Sequence, residues 1–569
     1  MTKSLDLVFL WHMHQPDYRD YASGDFVLPW VYLHAMKDYT DMAYHLERHP
    51  RVRVVLNFVP VLLDQLEDYT DQFATGKIRD PLLRLLAHQN TGDFTPEERL
   101  LALNSCFRSS HTKMIAPFPA YKRLWDLFQL LQTDGEYGLS YLSGQYMADL
   151  LTWYHLAWCG ESVRRDSELV TRLMSKAEGF SYADRKQLFE LIGELTSNII
   201  PRYRKLADAG QIEISATPHY HPLAPLLIDF ASAREAMPDA PMPKSLHYPK
   251  GRLRVSKHIQ LAKLSHKARF GAEPKGMWPA EGSISVETLQ VFAEEGCGWA
   301  ASGEGVLVNS LRRSNLEVPE RGRYLYRPYT LETGADGMLC FFRDDHLSDL
   351  IGFEYSRWHG KDAATHFIAQ LDAISLQAPE DETPVVSVIL DGENAWEYYP
   401  YNGFYFLDEL YAQLEAHAAI TTCTYSDFLE SDPLRGAKPG SLPTIAAGSW
   451  VYGNFSTWIG CEDKNRAWDL LCAAKQSYDL VMSSKRLSAA EREAADKQLC
   501  SCESSDWFWW FGDYNPANSV ASFDRLYRHN LTELYRLLKL PAPLSLSDPV
   551  SRGSLVETEV DGAMRRATE

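Results

Sequence analysis

Six segments of the chain share one pattern of hydrophobic positions. Each is a short run that is apolar at nearly every residue and that ends in a polar cluster. The runs are residues 5–16, 52–60, 211–222, 276–283, 338–345 and 384–394. Apolar runs of this length are typical of strands that are buried on both faces, as in a parallel sheet. The pattern therefore predicts a sheet of parallel strands.

Helical patterns lie between these runs. The segment 182–210 ends at Gly210, directly before a predicted strand, and a second helix begins at the N-cap Ser285 and ends at Gly296. The alternation of strand and helix predicts an α/β fold, an irregular (β/α) barrel.

Residues 61–200 interrupt this alternation with a helix-rich insertion. Within it, Thr95, Pro96 and Glu98 have the spacing of an N-cap, a first helical residue and a capping box. We assign residues 1–400 to a catalytic barrel that includes the insertion.

Helical patterns replace the strand runs beyond about residue 400. One of them begins at Ser488, and Glu491 completes its capping box. Residues 401–540 are therefore predicted to form a C-terminal helical domain. Residues 541–569 are rich in Pro, Ser and charge and have few large apolar side chains, which predicts a flexible extension.

Polar clusters follow the apolar runs at the ends where strands of a parallel barrel meet. They are His12 and His14, His219 and His221, Glu281, Arg343 and Asp344, and Asp391 and Glu393. In (β/α) barrels the reactive groups lie at the carboxyl ends of the strands. We therefore expect these side chains to converge on one mouth of the barrel.

Glu281 and Asp391 form a candidate pair of carboxylates. Burial disfavours the charged form of a carboxyl group, so a carboxylate at the end of a buried strand is costly unless it is paired or reactive. Paired carboxylates are the equipment of glycoside hydrolysis, one as nucleophile or base and the other as proton donor. From spacing alone, a structural role for one or both stays open.

The histidine pairs allow two interpretations. At positions i and i+2 of a strand, His12 and His14 point to one face and could ligate zinc together with Asp391 or His219. Alternatively, they are neutral imidazoles that bind a substrate by hydrogen bonds or orient carboxylates.

The composition of the chain limits the classes of binding partner and the cellular compartments that we expect. The 569-residue chain has a formal net charge of −19 and a pI near 5.4, which argues against nucleic acid or an anionic membrane as partner. No segment reaches the roughly 18 apolar residues of a membrane span, and the N-terminal apolar run is too short for a signal peptide. Nine cysteines without a repeating interval fit a reducing compartment. We expect a cytoplasmic protein.

Aromatic residues make up 12% of the chain and crowd the same neighbourhoods as the polar clusters. Trp507, Phe508, Trp509 and Trp510 follow one another directly after Asp506. Because four consecutive side chains cannot all face one core, at least one is expected to face a groove, where aromatic rings can stack on sugars. Taken alone, Asp506 is more typical of a helix cap or a salt-bridge partner.

Four motifs in a fixed order carry a resemblance to a known family. They are "HMHQP", "GQIEISATPHYHPL", "WPAEGS" and "ILDGENAWEYY", followed later by "GSWVYGNFSTWIG" and "SDWFWWFGD". This set resembles glycoside hydrolase family 57, a family that acts on α-glucans, over most of the chain to about residue 540. The helix-rich insertion and the final extension are the less distinctive parts.

The resemblance implies an incomplete (β/α)7 barrel, a C-terminal helical domain that closes over the cleft, and a retaining mechanism without a metal or other cofactor. It implies that Glu281 is the nucleophile and Asp391 the general acid/base. The side chains implied to line the sugar-binding site are His12, His14, His219, Trp278, Arg343, Asp344, Trp396, Asp506 and Trp507. Family members that lack one of the two carboxylates are presumed inactive, whereas this chain has both.

The expected activity is retaining cleavage of α-1,4-glucosidic bonds, with α-1,6 cleavage as an extension, in maltodextrin, starch or glycogen. One alternative is a 4-α-glucanotransferase or glucan branching enzyme that uses the same two carboxylates. Two further alternatives are a non-catalytic carbohydrate-binding protein and a zinc-dependent hydrolase built on the histidine pairs. The sequence does not choose between hydrolysis and transfer.

Overall fold

A computed structural model describes residues 3–133, 135–332, 334–335, 337–431 and 434–554. Its β-strands form one mixed sheet in which parallel pairing predominates. They are β1 Leu5–Met13, β2 Val54–Phe58, β3 Ile212–Ala216, β4 Trp299–Gly303, β5 Tyr329–Leu331, β6 Leu339–Arg343, β7 Val385–Asp391, β8 Ile420–Thr422 and β9 Gly440–Leu442.

Six of these strands and one single residue form a closed parallel ring. The paired order is β3, β2, β1, β7, β6 and β4. Met277 closes the ring, since it forms parallel bridges with Ala216 of β3 and with Ala300 of β4. Going round the ring, the segments follow one another in chain order. This confirms the predicted irregular (β/α) barrel and its seven-part ring.

The pairing register sets the level of the residues at the mouth. His12 of β1 lies level with Asn57 beyond the middle of β2 and with Asp391 at the end of β7. β6 and β7 pair only through Arg343 and Ser387 in the described part of the chain. The side chains at the carboxyl ends of β1, β2 and β7 are therefore brought to one height in the barrel.

The predicted strands agree with the structure except at one place. Five of the six apolar runs contain β1, β2, β3, β6 and β7, whereas residues 276–283 contribute only the bridge at Met277 and a 3-10 turn at Ala280–Gly282. Pro279 follows the bridge and Glu281 has a left-handed backbone, so an extended strand cannot continue there. The sequence pattern missed β4, whose residues "WAASG" are mostly small.

Helices occupy most of the remaining chain. The α-helices are Trp30–His34, Thr40–Arg48, Pro60–Thr75, Pro81–Ala87, Pro96–Cys106, Pro119–Gln132, Gly135–Leu139, Gly144–Trp158, Glu161–Asp166, Glu168–Lys176, Tyr182–Asp208, Ala224–Ile228, Gly251–Phe270, Val286–Glu294, Glu304–Arg313, Arg321–Tyr324, Asp345–Asp349, Gly360–Gln377, Phe404–Ala416, Tyr425–Glu430, Glu462–Ser483, Ala489–Cys502, Asp506–Trp510 and Ala517–Leu537. The capping boxes predicted at Thr95 and Ser488 are both present.

The helices between β2 and β3 correspond to the insertion. Of the segment 401–540, assigned from sequence to a C-terminal helical domain, the first part contributes β8 and β9 to the sheet, and the helices after Cys461 form a C-terminal helical region. The last of these, Ala517–Leu537, is covered by the start of the predicted extension. Asp524 accepts backbone N–H groups from Val550 and Ser551 at 2.6 and 3.1 Å. Residues 541–554 therefore pack on this helix, and the rest of the predicted extension, 555–569, lies outside the described residues.

A large apolar core fills the space between the ring and the helices, with Trp11, Trp158 and Trp468 among its largest fully buried side chains. Within the described ranges, no helix is both long and apolar enough to cross a membrane.

Candidate active site

A cavity of about 110 Å³ opens at the carboxyl ends of the strands. Its lining combines carboxylates, histidines and aromatic rings from the barrel, the insertion and the C-terminal helical region. The lining residues are His12, His14, Gln15, Pro16, Tyr18, Trp30, His34, Arg108, His221, Glu281, Asp391, Glu393, Asn394, Asp506, Trp509, Trp510 and Phe523. The cavity therefore contains both predicted catalytic carboxylates.

Glu281 is held in the cavity by its backbone and by one indole. Its φ of 58° and ψ of 25° lie in the left-handed region, which costs a non-glycine residue free energy. Trp450 offsets this cost twice, because its backbone N–H donates to the Glu281 carbonyl and its Nε1 donates to Oε2, each at 3.1 Å. The carboxylate is thus directed by a residue far away in sequence.

Asp391 is the last residue of β7 and lies level with His12 of β1. Its Oδ2 accepts a hydrogen bond of 2.9 Å from Nδ2 of Asn394. The neighbouring Arg343, buried at the end of β6, favours the charged form of Asp391. The parallel register and one short turn therefore fix the position of this carboxyl group.

The Asp391 carboxyl group is close enough to Glu281 to raise its pKa. Burial raises the pKa of Glu281 to about 8, and the carboxyls of Asp391 and Asp506 add to this rise. Burial also raises the pKa of Asp391 to about 6, against the hydrogen bond from Asn394. Between these two values the pair carries one proton, and the higher pKa of the two is that of Glu281.

Asp506 enters the cavity from the C-terminal helical region. Its Oδ1 lies 2.8 Å from Nε2 of His14, and its Oδ2 accepts a hydrogen bond of 2.6 Å from the Ser504 hydroxyl. Burial raises its pKa, and His221 acts in the opposite direction. Asp506 therefore connects the C-terminal helical region directly to the end of β1.

Three imidazoles stack in the wall of the cavity. The ring centroids of His14 and His221 are 4.0 Å apart with planes 19° from parallel, and those of His12 and His221 are 5.2 Å apart. Burial lowers the pKa of His12 and of His14 to about 3 and that of His221 well below its usual value. The stack is therefore neutral at pH 7.

Each neutral imidazole has a defined partner on one nitrogen. The side-chain nitrogen of Asn57 donates to Ser215, so Oδ1 is the atom of this amide that faces His12. Because this oxygen can only accept, His12 Nδ1 donates to it at 2.6 Å. His221 Nδ1 lies 2.9 Å from the Ser505 hydroxyl. His14 Nδ1 and His221 Nε2 are buried without a partner. These free nitrogens can serve a polyhydroxylated ligand.

Two groups of potential metal ligands converge among the described residues, namely His14, His221 and Asp506, and His258, Cys500 and Glu503. Neither is the zinc set predicted from sequence. In the second group, the Arg254 guanidinium donates to Glu503 and to Cys500, so a cation already occupies the space between them.

Three predicted sugar-binding residues lie behind the cavity wall. Trp278 is fully buried beside His12 and Trp450, and its Nε1 has no partner. Trp396 is buried against Trp11, with Nε1 donating to the Gly392 carbonyl at 2.8 Å. Trp507 is buried and donates to the Ser501 carbonyl at 3.0 Å. Their rings support the site from behind its lining.

Three polar residues of the predicted set are engaged in other contacts. His219 Nε2 pairs with Asp64 at 2.9 Å, away from the cavity lining. Asp344 caps the helix that begins at Asp345 and pairs with Arg321. Arg343 donates to Asp345 and Asp349, and its guanidinium lies 5.6 Å from the Trp450 ring centroid.

The structure places His221 in the cavity in place of His219. Both follow β3 at positions i and i+2, but His221 has a φ of 58°, and this left-handed turn breaks the alternation of an extended strand. Sequence reasoning also missed Trp450, Trp30 and Arg108 as site residues. The motif "GSWVYGN" marks the first of these, whereas no local signal marks the other two.

The run from Trp507 to Trp510 divides as expected from four consecutive rings. Trp507 and Phe508 enter the core, and Trp509 and Trp510 line the cavity. Trp510 stacks on Phe523 with ring centroids 4.3 Å apart and planes 10° from parallel. The C-terminal helical region therefore supplies an aromatic wall.

Comparisons with known proteins agree with the sequence motifs and with the fold. The model of the family described as "Glycosyl hydrolase family 57" matches residues 8–439. A search of curated proteins finds no match.

Solved structures with a similar fold cover nearly the whole chain. A branching enzyme from Thermococcus kodakaraensis has a TM-score of 0.58 at 14% identity, covering 94% of this chain and 90% of that one. A branching enzyme from Pyrococcus horikoshii has a TM-score of 0.57 at 16% identity, covering 99% of both chains. The α-amylase AmyC from Thermotoga maritima has a TM-score of 0.55 at 13% identity, covering 94% of this chain and 93% of that one.

Proposed function

The chain belongs to glycosyl hydrolase family 57, and on that premise we propose that it is a retaining enzyme that cleaves α-1,4-glucosidic bonds of maltodextrin, starch or glycogen. The observation that carries this proposal is the pair Glu281 and Asp391. Both line one cavity, both have a raised pKa, and together they hold one proton near neutral pH. One nucleophile and one proton are what a retaining mechanism requires.

In the first step, the Glu281 carboxylate attacks the anomeric carbon while Asp391 gives its proton to the glycosidic oxygen. The bond to the leaving glucan breaks and a glucosyl ester forms on Glu281. In the second step, Asp391 takes a proton from an incoming water whose oxygen attacks the anomeric carbon and releases Glu281. Two displacements return the α-configuration.

The proposal requires the shared proton to move from Glu281 to Asp391 when glucan binds. A glycosidic oxygen beside Asp391 accepts a hydrogen bond from the protonated acid. The positive charge that develops on the sugar ring favours the ionised form of Glu281. The indole Nε1 of Trp450 favours the same form, because it donates to Glu281 Oε2.

The surroundings of the pair suit a neutral sugar. The stacked imidazoles are uncharged, and His14 and His221 offer unpartnered nitrogens to sugar hydroxyls. Trp509 and Trp510 provide flat apolar faces on which a sugar ring can stack.

Incubation with amylose, pullulan and maltoheptaose, followed by sizing of the products, tests the proposed activity. Only products shorter than maltoheptaose are expected from hydrolysis, and release of maltotriose from pullulan would add α-1,6 cleavage. No product from any α-glucan would refute the proposal. Unchanged activity after chelator treatment is expected, and its loss would favour the zinc-dependent alternative.

A second candidate, transfer of the glucosyl chain to a sugar acceptor, is favoured by the aromatic wall of the cavity. Trp30, Trp509, Trp510 and Phe523 surround the site with apolar surface. A wall of this kind can exclude water from the covalent intermediate. Two of the proteins with a similar fold are branching enzymes, which agrees with this candidate. Products longer than maltoheptaose, or new branch points in amylose, would establish it.

A cytoplasmic location is part of the proposal. All nine cysteines are free, and eight of them are buried. Buried unpaired thiols fit a reducing compartment.

A further inference from the structure

A buried ionic network lies behind the cavity, on the side of the C-terminal helical region. Its centre is Glu503, which is fully buried at the end of the helix Ala489–Cys502. Arg254 donates to both carboxylate oxygens of Glu503 at 2.8 to 3.1 Å. His258 Nε2 lies 2.8 Å from Oε2, and the Tyr248 hydroxyl donates to Oε1 at 2.5 Å. Every lone pair that this carboxylate can use faces a partner.

The network has an unusual charge state for a buried carboxyl group. Arg254 and His258 outweigh burial and lower the pKa of Glu503 to about 2. The carboxylate is therefore ionised throughout the neutral range, and its attraction to Arg254 persists at every pH at which the enzyme is expected to work.

Two chain segments leave this network and meet in the cavity. Glu503 is followed by Ser504, Ser505 and Asp506, and Asp506 contacts His14 at 2.8 Å. On the barrel side, the carbonyl of His258 accepts the backbone N–H of His219 at 3.1 Å, two residues before His221. One segment therefore begins at Glu503, and the other is bound to His258, which contacts Glu503. Each reaches a cavity side chain within three residues.

The two segments also bind each other directly in front of the network. The Ser505 backbone N–H donates to the His221 carbonyl at 2.9 Å, and the Ser505 hydroxyl lies 2.9 Å from His221 Nδ1. Pro222 and Ser504 form an antiparallel bridge. Asp506 and His221 consequently form one unit, and this unit is linked to Glu503, Arg254 and His258.

We propose that Glu503, held by Arg254, His258 and Tyr248, is a positioning residue that sets Asp506 and His221 against the catalytic carboxylates. The inference deepens the proposed function and rests on it. His221 Nδ1 is 4.0 Å from Glu281 Oε1 and 3.9 Å from Asp506 Oδ1. A shift of the unit that these two residues form therefore changes the surroundings of Glu281 directly.

Glu503→Gln keeps the shape of the side chain and removes its charge. We expect kcat to fall between about 10-fold and 100-fold with a much smaller change in KM, because displacements near 1 Å cost this much when reacting groups are misplaced. Tyr248→Phe removes one hydrogen bond and leaves the charges in place, so a smaller fall in kcat is expected. Tyr248→Phe also tests the proposal if Glu503→Gln does not fold.

Asp524→Asn is the matched control. Asp524 is also a buried carboxylate of the C-terminal helical region with an arginine partner, Arg528, but it binds the segment at Val550 rather than the cavity. Its substitution is expected to lower stability and to leave kcat unchanged at temperatures where the variant is folded.

The decisive readout is non-additivity with Asp506→Asn. If Glu503 acts through Asp506 and its neighbour, Glu503→Gln lowers kcat much less in the Asp506→Asn background than in the wild type. Equal factors in both backgrounds would overturn the proposal, since a general loss of stability acts alike in both.

A crystal structure of Glu503→Gln separates this inference from the proposed function, because it needs no activity. Loss of the contact between His14 Nε2 and Asp506 Oδ1 is expected. An unmoved contact would overturn the inference even if glucan cleavage is established. Absence of any glucan activity in the wild type would instead refute the proposed function and leave this structural test in force.

Discussion

The indole of Trp450 donates a hydrogen bond of 3.1 Å to Oε2 of Glu281, and the backbone N–H of the same residue donates to the Glu281 carbonyl. A single residue thus stabilises both the left-handed backbone of the proposed nucleophile and the charged form of its side chain. This contact joins two loops that are separated by 169 residues.

Trp450→Phe is expected to lower kcat about tenfold, because the lost N–H donor no longer favours the ionised form of Glu281. The same loss moves the alkaline limb of the pH profile to higher pH, since the pKa of Glu281 rises further. Trp278→Phe is the matched control, because its Nε1 has no partner although its ring packs on Trp450. Equal displacement of the alkaline limb in both variants would contradict the assigned role of the hydrogen bond.

The pH dependence of kcat/KM should be bell-shaped. The pair is active when it carries one proton. Activity therefore rises through about pH 6, where the doubly protonated pair loses one proton, and falls through about pH 8, where it loses the remaining one. Initial rates on maltoheptaose across this range measure both limbs. A profile that is flat between pH 5 and pH 9 would contradict the shared proton.

Glu281→Gln is expected to abolish turnover and to stabilise the folded protein as pH rises. The pKa of Glu281 is raised from its ordinary value to about 8, so the unfolded chain binds fewer protons between these values and wild-type stability falls with increasing pH. Gln does not titrate, so the variant's advantage should grow by up to about 1.4 kcal/mol per pH unit from pH 5 to pH 8.

Chemical denaturation at several pH values measures this difference in the free energy of unfolding. Glu294→Gln, which removes an exposed carboxylate from the helix Val286–Glu294, serves as the control for the loss of a carboxylate that is not buried. A constant difference between Glu281→Gln and the wild type would show that the Glu281 carboxyl is not desolvated.

His221→Ala and His219→Ala should separate catalysis from stability. His221 lines the cavity, and its loss is expected to lower kcat at least about tenfold, because the proposed sugar-binding wall and the contact to Asp506 are both disturbed. His219 pairs with Asp64 outside the lining, so its loss should mainly lower the melting temperature. A larger kcat effect at His219 would support the placement implied by the family resemblance.

The barrel could be predicted from sequence where a strand is a continuous apolar run. β1 and β7 are such runs, and their parallel register brings His12 and Asp391 to one level. β4 could not be predicted, since "WAASG" has mostly small residues, and they are buried by segments that are distant in the sequence, such as the one at Tyr425 and Phe428. The burial of β4 therefore depends on long-range packing, which the local sequence pattern does not predict.

The candidate site could be predicted only as far as strand ends determine it. Glu281 and Asp391 were found as acids after buried runs. The choice of His221 over His219 depends on one left-handed residue, and the contributions of Trp450 and Arg108 depend on long-range packing. These contacts arise from the tertiary structure, and the periodicity of the sequence does not predict them.

Trapping of the covalent intermediate tests the central claim, that Glu281 is the nucleophile of a retaining mechanism, most directly. The enzyme is incubated with 5-fluoro-α-D-glucosyl fluoride, digested, and analysed by tandem mass spectrometry, with Glu281→Gln as the control. A fluoroglucosyl ester on Glu281 that is absent from the control is the predicted result. A label on another residue, or release of a β-configured product from maltoheptaose without any labelled enzyme, would contradict it.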